Sequence, residues 1–454
     1  MRPAISWADL GGRRVGVWGA RVEGAANLRR LAALGITPAV VVDDAVPGPV
    51  EGRPVVPVAG GGLEALAGCD VVVKSPGVSR HGPEVAALEA AGVAVTGGLA
   101  LWLQDAPGDR VVCVTGSKGK STTAAVAGHL AAGLGRRPFV GGNIGRPPWD
   151  PAAPQPAGGP DLWIIETSSF QAADVARSPR VVVVTSLSPD HLDWHGDVET
   201  YYRDKLSLCS RPGAAVTVAN GDDPVVRAHR DQLGPDVHWV GLDHPPSSGQ
   251  AWVDTLGLLG DHNRRNALLA GAALAATGVD GAGDPRRLAA AGHGFEPLAS
   301  RLRPVASVDG VLFVDDSLST NVLPTVAALD VFAGRRVALL AGGHDRGIDY
   351  GPLAAHLLGR ADPTLLLALP DNGARIAEAV ERATRSGPPV RDAGTLEVRM
   401  AGELAAAVRD GWAWARPDGV VLLSPAAASF GRYRDYRARS EAFAAAVEAV
   451  RTAR

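Results

Sequence analysis

Val111-Val112-Cys113-Val114-Thr115-Gly116-Ser117-Lys118-Gly119-Lys120-Ser121-Thr122-Thr123 is the stretch that decides the fold. An apolar, β-branched run ends in a Gly-rich turn, and a helix-compatible run of Ala, Val and Leu follows. Such a turn aims backbone N–H groups and the positive end of a helix dipole at one point, which suits a polyphosphate. Lys120 adds a point charge near the outer phosphates, and Ser121 or Thr122 a hydroxyl for Mg²⁺. In the standard loop, G-x-x-x-x-G-K-[ST], the glycines stand five apart. Here Gly116 and Gly119 stand three apart, and Val114 holds the first glycine's place. Spacing alone leaves an ordinary strand-to-helix turn open; the doubled lysine and the Ser-Thr-Thr run on the helix start argue for phosphate.

Working outward, Leu162-Trp163-Ile164-Ile165-Glu166 is a strand ending in a carboxylate, the usual place for a magnesium-holding acid near a phosphate loop. Arg180 to Thr185 is another buried strand, leaving the sheet through Asp190-His191-Leu192-Asp193. Strands ending in Lys/Ser, Glu and His/Asp converge on one rim of a parallel sheet, where such sheets gather ligands. Asn143, in Gly141-Gly142-Asn143-Ile144-Gly145, offers an amide to a phosphate. Pro147 to Pro160 reads as a surface loop, and Gly260 to Asn266 opens a long Ala/Leu helix with polar side chains in its first turn.

Both flanks read as α/β. On the amino-terminal side, Arg14 to Gly19, Pro38 to Asp44 and Asp70 to Ser79 are strands running into turns. A nucleotide-like ligand at Gly19 and at Ser75-Pro76-Gly77 and a merely structural turn are both open, because the full G-x-G-x-x-G is absent. On the carboxyl-terminal side, Val311 to Ser317, Arg336 to Arg346, Leu365 to Leu367 and Gly419 to Pro425 repeat the pattern. A helix from Phe430 to Val450 follows, with alternating charges that read as a solvated face. Alternating strands and helices predict parallel sheets. A length of 454 residues predicts three domains, placed at 1–104, 105–301 and 302–454. A formal charge of −3 gives no electrostatic footprint for nucleic acid or an anionic membrane. Cys69, Cys113 and Cys209 are odd in number and far apart, which reads as buried thiols in a reducing compartment. No apolar run approaches a membrane span, so the expected location is cytoplasmic.

Taken in order, these residues resemble the Mur ligases, and within them the enzymes that add glutamate to UDP-N-acetylmuramoyl-L-alanine in peptidoglycan synthesis. The resemblance covers nearly the whole chain. It runs through Ser75-Pro76-Gly77, Thr115 to Thr122, Asn143-Ile144-Gly145, Glu166 to Gln171, Asp190 to Asp193, Lys205, His262-Asn263 with Asn266, Arg301, Asp315-Asp316-Ser317 with Thr320-Asn321, and Ser424-Pro425 with Ser429. The family shares the compressed loop spacing. It implies a Rossmann-like UDP-binding domain, a central P-loop ATPase domain and a Rossmann-like ligase domain, acting as a monomer.

The resemblance also implies roles. Lys120 holds the β/γ phosphates within an ATP site comprising Gly116, Ser117, Lys118, Gly119, Ser121, Thr122, Asn143, Asn266, Arg301 and Asp316. Ser121 and Glu166 hold one Mg²⁺, His191 and a carbamylated Lys205 a second. Lys120, His191 and Lys205 are the catalytic set. Gly19, Ser75, Pro76 and Gly77 take the UDP-sugar; Leu318, Thr320, Arg346, Ser429 and Tyr436 surround the amino acid.

Two positions depart from the D-glutamate-adding pattern: Leu318 and Arg346 stand where those enzymes carry lysines. Mirror-image substrates present their charged groups in different directions, and Arg offers a planar fork that Lys lacks. The expectation is L-glutamate, with a separate epimerase acting on the product. Alternatives are the ordinary D-glutamate ligase, another Mur ligase, a folylpolyglutamate synthase, and a non-catalytic P-loop protein.

Overall fold

The computed structural model describes residues 2–386 and 395–453. The β-branched runs become strands of three sheets, each mainly parallel. The first sheet, in the order β2-β1-β3-β4, holds β1 (Val15–Trp18), β2 (Val40–Val42), β3 (Val71–Lys74) and β4 (Ala94–Gly97). The second, β10-β9-β8-β5-β7-β6, holds β5 (Val111–Thr115), β6 (Pro138–Gly142), β7 (Leu162–Glu166), β8 (Val181–Val184), β9 (Val216–Asn220) and β10 (Val237–Val240). The third, β11-β12-β16-β13-β14-β15, holds β11 (Arg303–Val308), β12 (Val311–Asp315), β13 (Val337–Ala341), β14 (Thr364–Ala368), β15 (Leu396–Met400) and β16 (Val420–Leu423). Among the described pairings only β11 runs antiparallel to its neighbour. Strands β5, β8, β13, β14 and β16 are buried at every residue, as helices on both faces of a parallel sheet require.

The chain divides into two compact units, Met1–Gly257 with His262–Phe295, and Leu258–Asp261 with Glu296–Arg454. The first unit contains the first two sheets, which share a core running from Val15 and Val73 through Leu101 and Phe139 to Val182. The second has apolar cores on both faces of its sheet. The three cysteines are buried free thiols, and no helix among the described residues is long and apolar enough to cross a membrane.

Two expectations need correction. The segment Pro147 to Pro160 is not simply a surface loop: Trp149 is buried, its ring lies 6.4 Å from that of Trp7, and its Nε1 donates to Asn27 at 2.8 Å. Asp150 accepts two bonds from Arg29, at 2.9 and 2.6 Å, so the loop pins the first sheet's helix to the second sheet. An indole outweighs the surrounding prolines, because its burial is worth more than their turn preference. The last helix spans Tyr436–Thr452, capped by the Asp435 carboxylate on the Ala438 N–H. Phe430 lies outside it, beyond Gly431, whose φ of +96° a helix cannot accommodate. Nor is its charged face all solvated, since Arg439 is buried.

Candidate active site

The Gly-rich turn joins β5 to the helix Lys120–Gly133 through two left-handed residues, Gly116 (φ +137°) and Gly119 (φ +90°). Space as well as φ demands glycine there. A Cβ on Gly116 would stand 2.1 Å from Thr185 Oγ1, and one on Gly119 2.4 Å from Asn266 Oδ1. Thr185, at the end of β8, and the buried Asn266, in the helix Asp261–Ala276, are thus the walls of the loop. Thr185 was not singled out by the sequence; its signal was only its place after the strand. The Ser117 hydroxyl braces the loop from within, donating to Ser188 O at 2.8 Å beside Tyr201 Oη at 2.9 Å. The doubled lysine divides its work. Lys118 is exposed and pairs with Asp190 at 3.2 Å, whereas Lys120 Nζ folds onto Gly116 O (2.9 Å) and Ser117 O (3.2 Å). Ser121 and Thr122 occupy the first turn of the helix, Thr122 buried.

Because β5 lies between β7 and β8, their carboxyl ends share one rim. Glu166 ends β7 fully buried. Asn143 Nδ2 donates to its Oε1 at 2.9 Å, and its Oε2 has no hydrogen-bond partner among the described residues. A buried carboxylate oxygen left without a donor is costly unless a cation takes it. His191, after β8, holds a left-handed φ of +52° and packs edge-on to Phe170, ring centroids 4.9 Å apart. Desolvation lowers its pKa against the pull of Asp190, with Lys205, Lys118 and Lys120 adding to the lowering, so the ring is a neutral donor of a lone pair.

Lys205, in the helix Val198–Leu206, is 2% exposed. Its Nζ donates to Gly116 O at 3.0 Å and lies 4.8 Å from the centre of the Tyr201 ring. Burial, and then the charge of Lys120, holds its pKa well below the usual lysine range. The neighbouring Asp204 carboxylate is taken up by His81 at 2.6 Å and His195 at 2.8 Å, so it does not neutralise Lys205.

Parallel pairing of β1 with β3 brings the other predicted turns together. Ser75 Oγ donates to Gly19 O at 3.0 Å, and a Cβ on Gly19 (φ +93°) would meet Ser75 Cβ at 2.6 Å. Pro76 O accepts from Trp194 Nε1 at 3.0 Å, with Gly77 beside it in the turn. Glu23, unremarked in the sequence, accepts from Gln171 Nε2 at 2.6 Å, and desolvation pushes its carboxyl up to about 7.

The remaining predicted residues lie in the second unit. Asp316 is buried after β12, accepting from Leu302 N (3.2 Å), Ser319 Oγ (2.5 Å) and Ser424 Oγ (2.8 Å), yet burial pushes its carboxyl up to about 6. Arg301 precedes β11. Leu318, half-buried, donates its N–H to Ser300 O at 3.0 Å, and Thr320 follows, also half-buried. Arg346 is exposed, its guanidinium 5.9 Å from the centre of the Phe430 ring. Ser429 is buried and Tyr436 opens the last helix half-buried.

With that geometry in place, comparison with known proteins is decisive. Residues 114–274 match the Mur ligase middle domain and residues 300–427 the Mur ligase, glutamate ligase domain. The chain belongs to the Mur ligase family. A Micromonospora protein named UDP-N-acetylmuramoyl-L-alanine--L-glutamate ligase is 43% identical over 97% of this chain and 97% of its own length. A Salinispora tropica protein of the same name is 42% identical over 97% and 98%. Among solved structures, the UDP-N-acetylmuramate-alanine ligase of Thermotoga maritima superimposes with a TM-score of 0.54 at 17% identity, covering 97% of this chain and 100% of that one. A second Thermotoga maritima Mur ligase, solved with ADP, gives 0.51 at 16% identity, over 96% and 94%. These structures share the fold.

Proposed function

We propose that this protein is the ATP-dependent ligase that joins L-glutamate to UDP-N-acetylmuramoyl-L-alanine through an acyl phosphate. The observation that carries the proposal is the shared rim of Lys120, Glu166, His191 and a charge-depleted Lys205. A chain that only bound nucleotide would have no use for all four. The relatives' names supply the substrates, and the non-lysine residues at Leu318 and Arg346 agree with their L-glutamate.

A carboxylate is a poor electrophile. One of its oxygens attacks the γ-phosphorus of ATP and the bond to ADP breaks. The glutamate amine then attacks the acyl carbon, phosphate leaves, and the surplus proton passes to solvent. Lys120 stands where the β/γ phosphates come to rest on the loop, Asn143 where the transferring phosphoryl group passes, and Arg301, Asn266 and Asp316 contact the nucleotide. Gly19 and Ser75 to Gly77 hold the UDP-sugar. The first unit's donors fit Mg²⁺: the orphaned Glu166 oxygen with the Ser121 hydroxyl for one ion, neutral His191 with Lys205 for another. Mg²⁺ bound there neutralises charge on the phosphoryl oxygens and orients them. An ammonium cannot ligate a cation. The neutral amine that Lys205 maintains attacks CO₂, forming an N–C bond and releasing a proton, and the resulting carbamate is a carboxylate.

The test is ligation of UDP-N-acetylmuramoyl-L-alanine with ATP, Mg²⁺ and either pure L- or pure D-glutamate, reading product and ADP together. Product with L-glutamate alone is expected, and an epimerase must then act on it. Preference for D-glutamate would overturn the stereochemical reading. ATP turnover indifferent to the UDP-sugar would overturn the ligase.

A further inference from the structure

One cluster of ligand-type side chains in the first unit has no part in the proposed chemistry. His81 Nε2 stands 2.6 Å from Asp204 Oδ2, and His195 Nδ1 stands 2.8 Å from the same oxygen. The three residues offer ligand atoms within 4.8 Å of one another. His195 and Asp204 are buried, whereas the His81 side chain is 36% exposed, so the cluster has one open side.

Each member is held from outside the cluster. The His195 ring lies between those of Trp194 and Tyr201, at centroid distances of 4.4 and 5.2 Å, and its Nε2 is 2.9 Å from Ser169 Oγ. A hydroxyl can accept from Nε2–H as readily as donate to Nε2, so Ser169 lets the ring turn an Nδ1 lone pair towards a metal. His81 follows Ser79, whose hydroxyl donates to Trp194 O at 2.8 Å and accepts from the His81 N–H at 3.2 Å. The His81 ring stands edge-on to the Trp194 indole, centroids 5.7 Å apart. Asp204 belongs to the helix Val198–Leu206. Burial opposes its ionisation, yet the bonds from His195 and His81 hold its carboxyl below the usual range, in the charged form a metal ligand needs.

We propose that His81, His195 and Asp204 form a site for a divalent transition ion of the zinc type, separate from the Mg²⁺ rim. Two imidazoles and one carboxylate with an open position suit Zn²⁺ or Co²⁺, while Mg²⁺ takes oxygen donors and does not compete. A tetrahedral ion with bonds of about 2.0–2.1 Å spaces its ligands about 3.3 Å apart. The two contacts to Asp204 must therefore lengthen by about half an ångström as the rings close on the ion, a movement open to the partly exposed His81. Water on the open side completes the set. An ion there ties the turn after Ser75-Pro76-Gly77 to the helix that carries Lys205, and so clasps the first sheet to the second.

The experiment is calorimetric titration of the full chain with Zn²⁺ in a large excess of Mg²⁺, repeated with Co²⁺ while its visible spectrum is followed. Wild type should take up about one Zn²⁺ per chain in its tightest phase and give the intense bands of four-coordinate Co²⁺. His81→Ala removes the partly exposed ligand and leaves the buried pair in place. It should weaken that phase by about 10²-fold or more, since even an outer partner of a ligand is worth about 10–100-fold. Ser169→Ala, which removes such a partner from His195, should weaken it by about tenfold. His191→Ala takes a donor from the rim and should leave the tight phase within about twofold. Absence of a tight phase in wild type, or one that survives His81→Ala unchanged, overturns the site. Loss of the phase in His191→Ala instead would place the ion on the rim and overturn it equally. The readout is binding, so none of these outcomes bears on the ligase, which ligation with Mg²⁺ alone tests.

Discussion

Two lysines of the first unit are equally buried and differently partnered. Lys74 ends β3 with its side chain wholly out of solvent and its Nζ 2.6 Å from Asp174 Oδ2; Arg80 Nη1 approaches the same carboxylate at 3.3 Å. Lys205 has for hydrogen-bond and ring company a backbone carbonyl and a tyrosine face, and burial with the charges of Lys120 and Lys118 outweighs those of Asp190 and Glu166. A buried cation survives only if a counter-charge is built beside it. Where one is, the lysine becomes a clamp. Where none is within hydrogen-bond reach, burial holds the lysine's pKa well below its usual range. The difference lies in the partner, since neither residue's own burial distinguishes them.

Breaking the second half of that comparison should have the largest effect. Lys205→Met exchanges a desolvated amine for a thioether of similar length, so the folded state should be as stable as wild type or more so. Ligation should fall by about 10³-fold or more, because the loss of a metal-holding group removes several kcal/mol of charge stabilisation. Denaturation curves and product formation together check it. Normal ligation would return Lys205 to a structural role. A sharper version needs no mutation: wild-type activity should fall in CO₂-stripped buffer and recover with bicarbonate.

Breaking the first half should cost stability instead. Lys74→Met leaves Asp174 buried with Arg80 at 3.3 Å and the charge of Arg2 acting on it, with an expected loss of about 3 kcal/mol, at the lower end for a broken buried pair because those cations remain. Adding Asp174→Asn should recover part of it. A single variant as stable as wild type would mean that the 2.6 Å pair contributes nothing, and the contrast with Lys205 would collapse.

Sequence alone made half of this visible. Strands β5, β7 and β8 announce themselves, since each is a β-branched or apolar run that stops at a polar or glycine-rich turn, and their common rim follows from parallel pairing. Lys120 was legible from its loop. Lys205 was not legible from its own surroundings, where it reads as a surface lysine on a helix; only the family pattern raised it. Lys74 was only one residue of the stretch Asp70 to Ser79 read as a strand and turn, because Asp174 lies a hundred positions away on a different sheet's connection. Trp149 and Arg439 were misread for the same reason. Prolines and alternating charges are local signals, and burial is decided by what the rest of the chain brings alongside.

The second unit offers the acidic counterpart, with a smaller expected effect. Asp316 has three donors where Lys205 has one acceptor, yet burial still raises its pKa from 3.8 to about 6. The folded state therefore holds this proton more tightly than the unfolded chain does. The sign follows: the group's contribution is fully present below about pH 4, is lost as pH rises towards 6, and is flat beyond. At 1.36 kcal/mol per unit, the loss is about 3 kcal/mol at most. Asp316→Asn removes the titration, whatever constant offset its altered hydrogen bonds introduce. Chemical denaturation between pH 4 and 7 should show the wild type losing stability relative to the variant across that window, since all other titrating groups are common to both. Parallel profiles would mean that the three donors already compensate the burial of Asp316, and that a carboxylate in this fold tolerates burial better than Lys205 does.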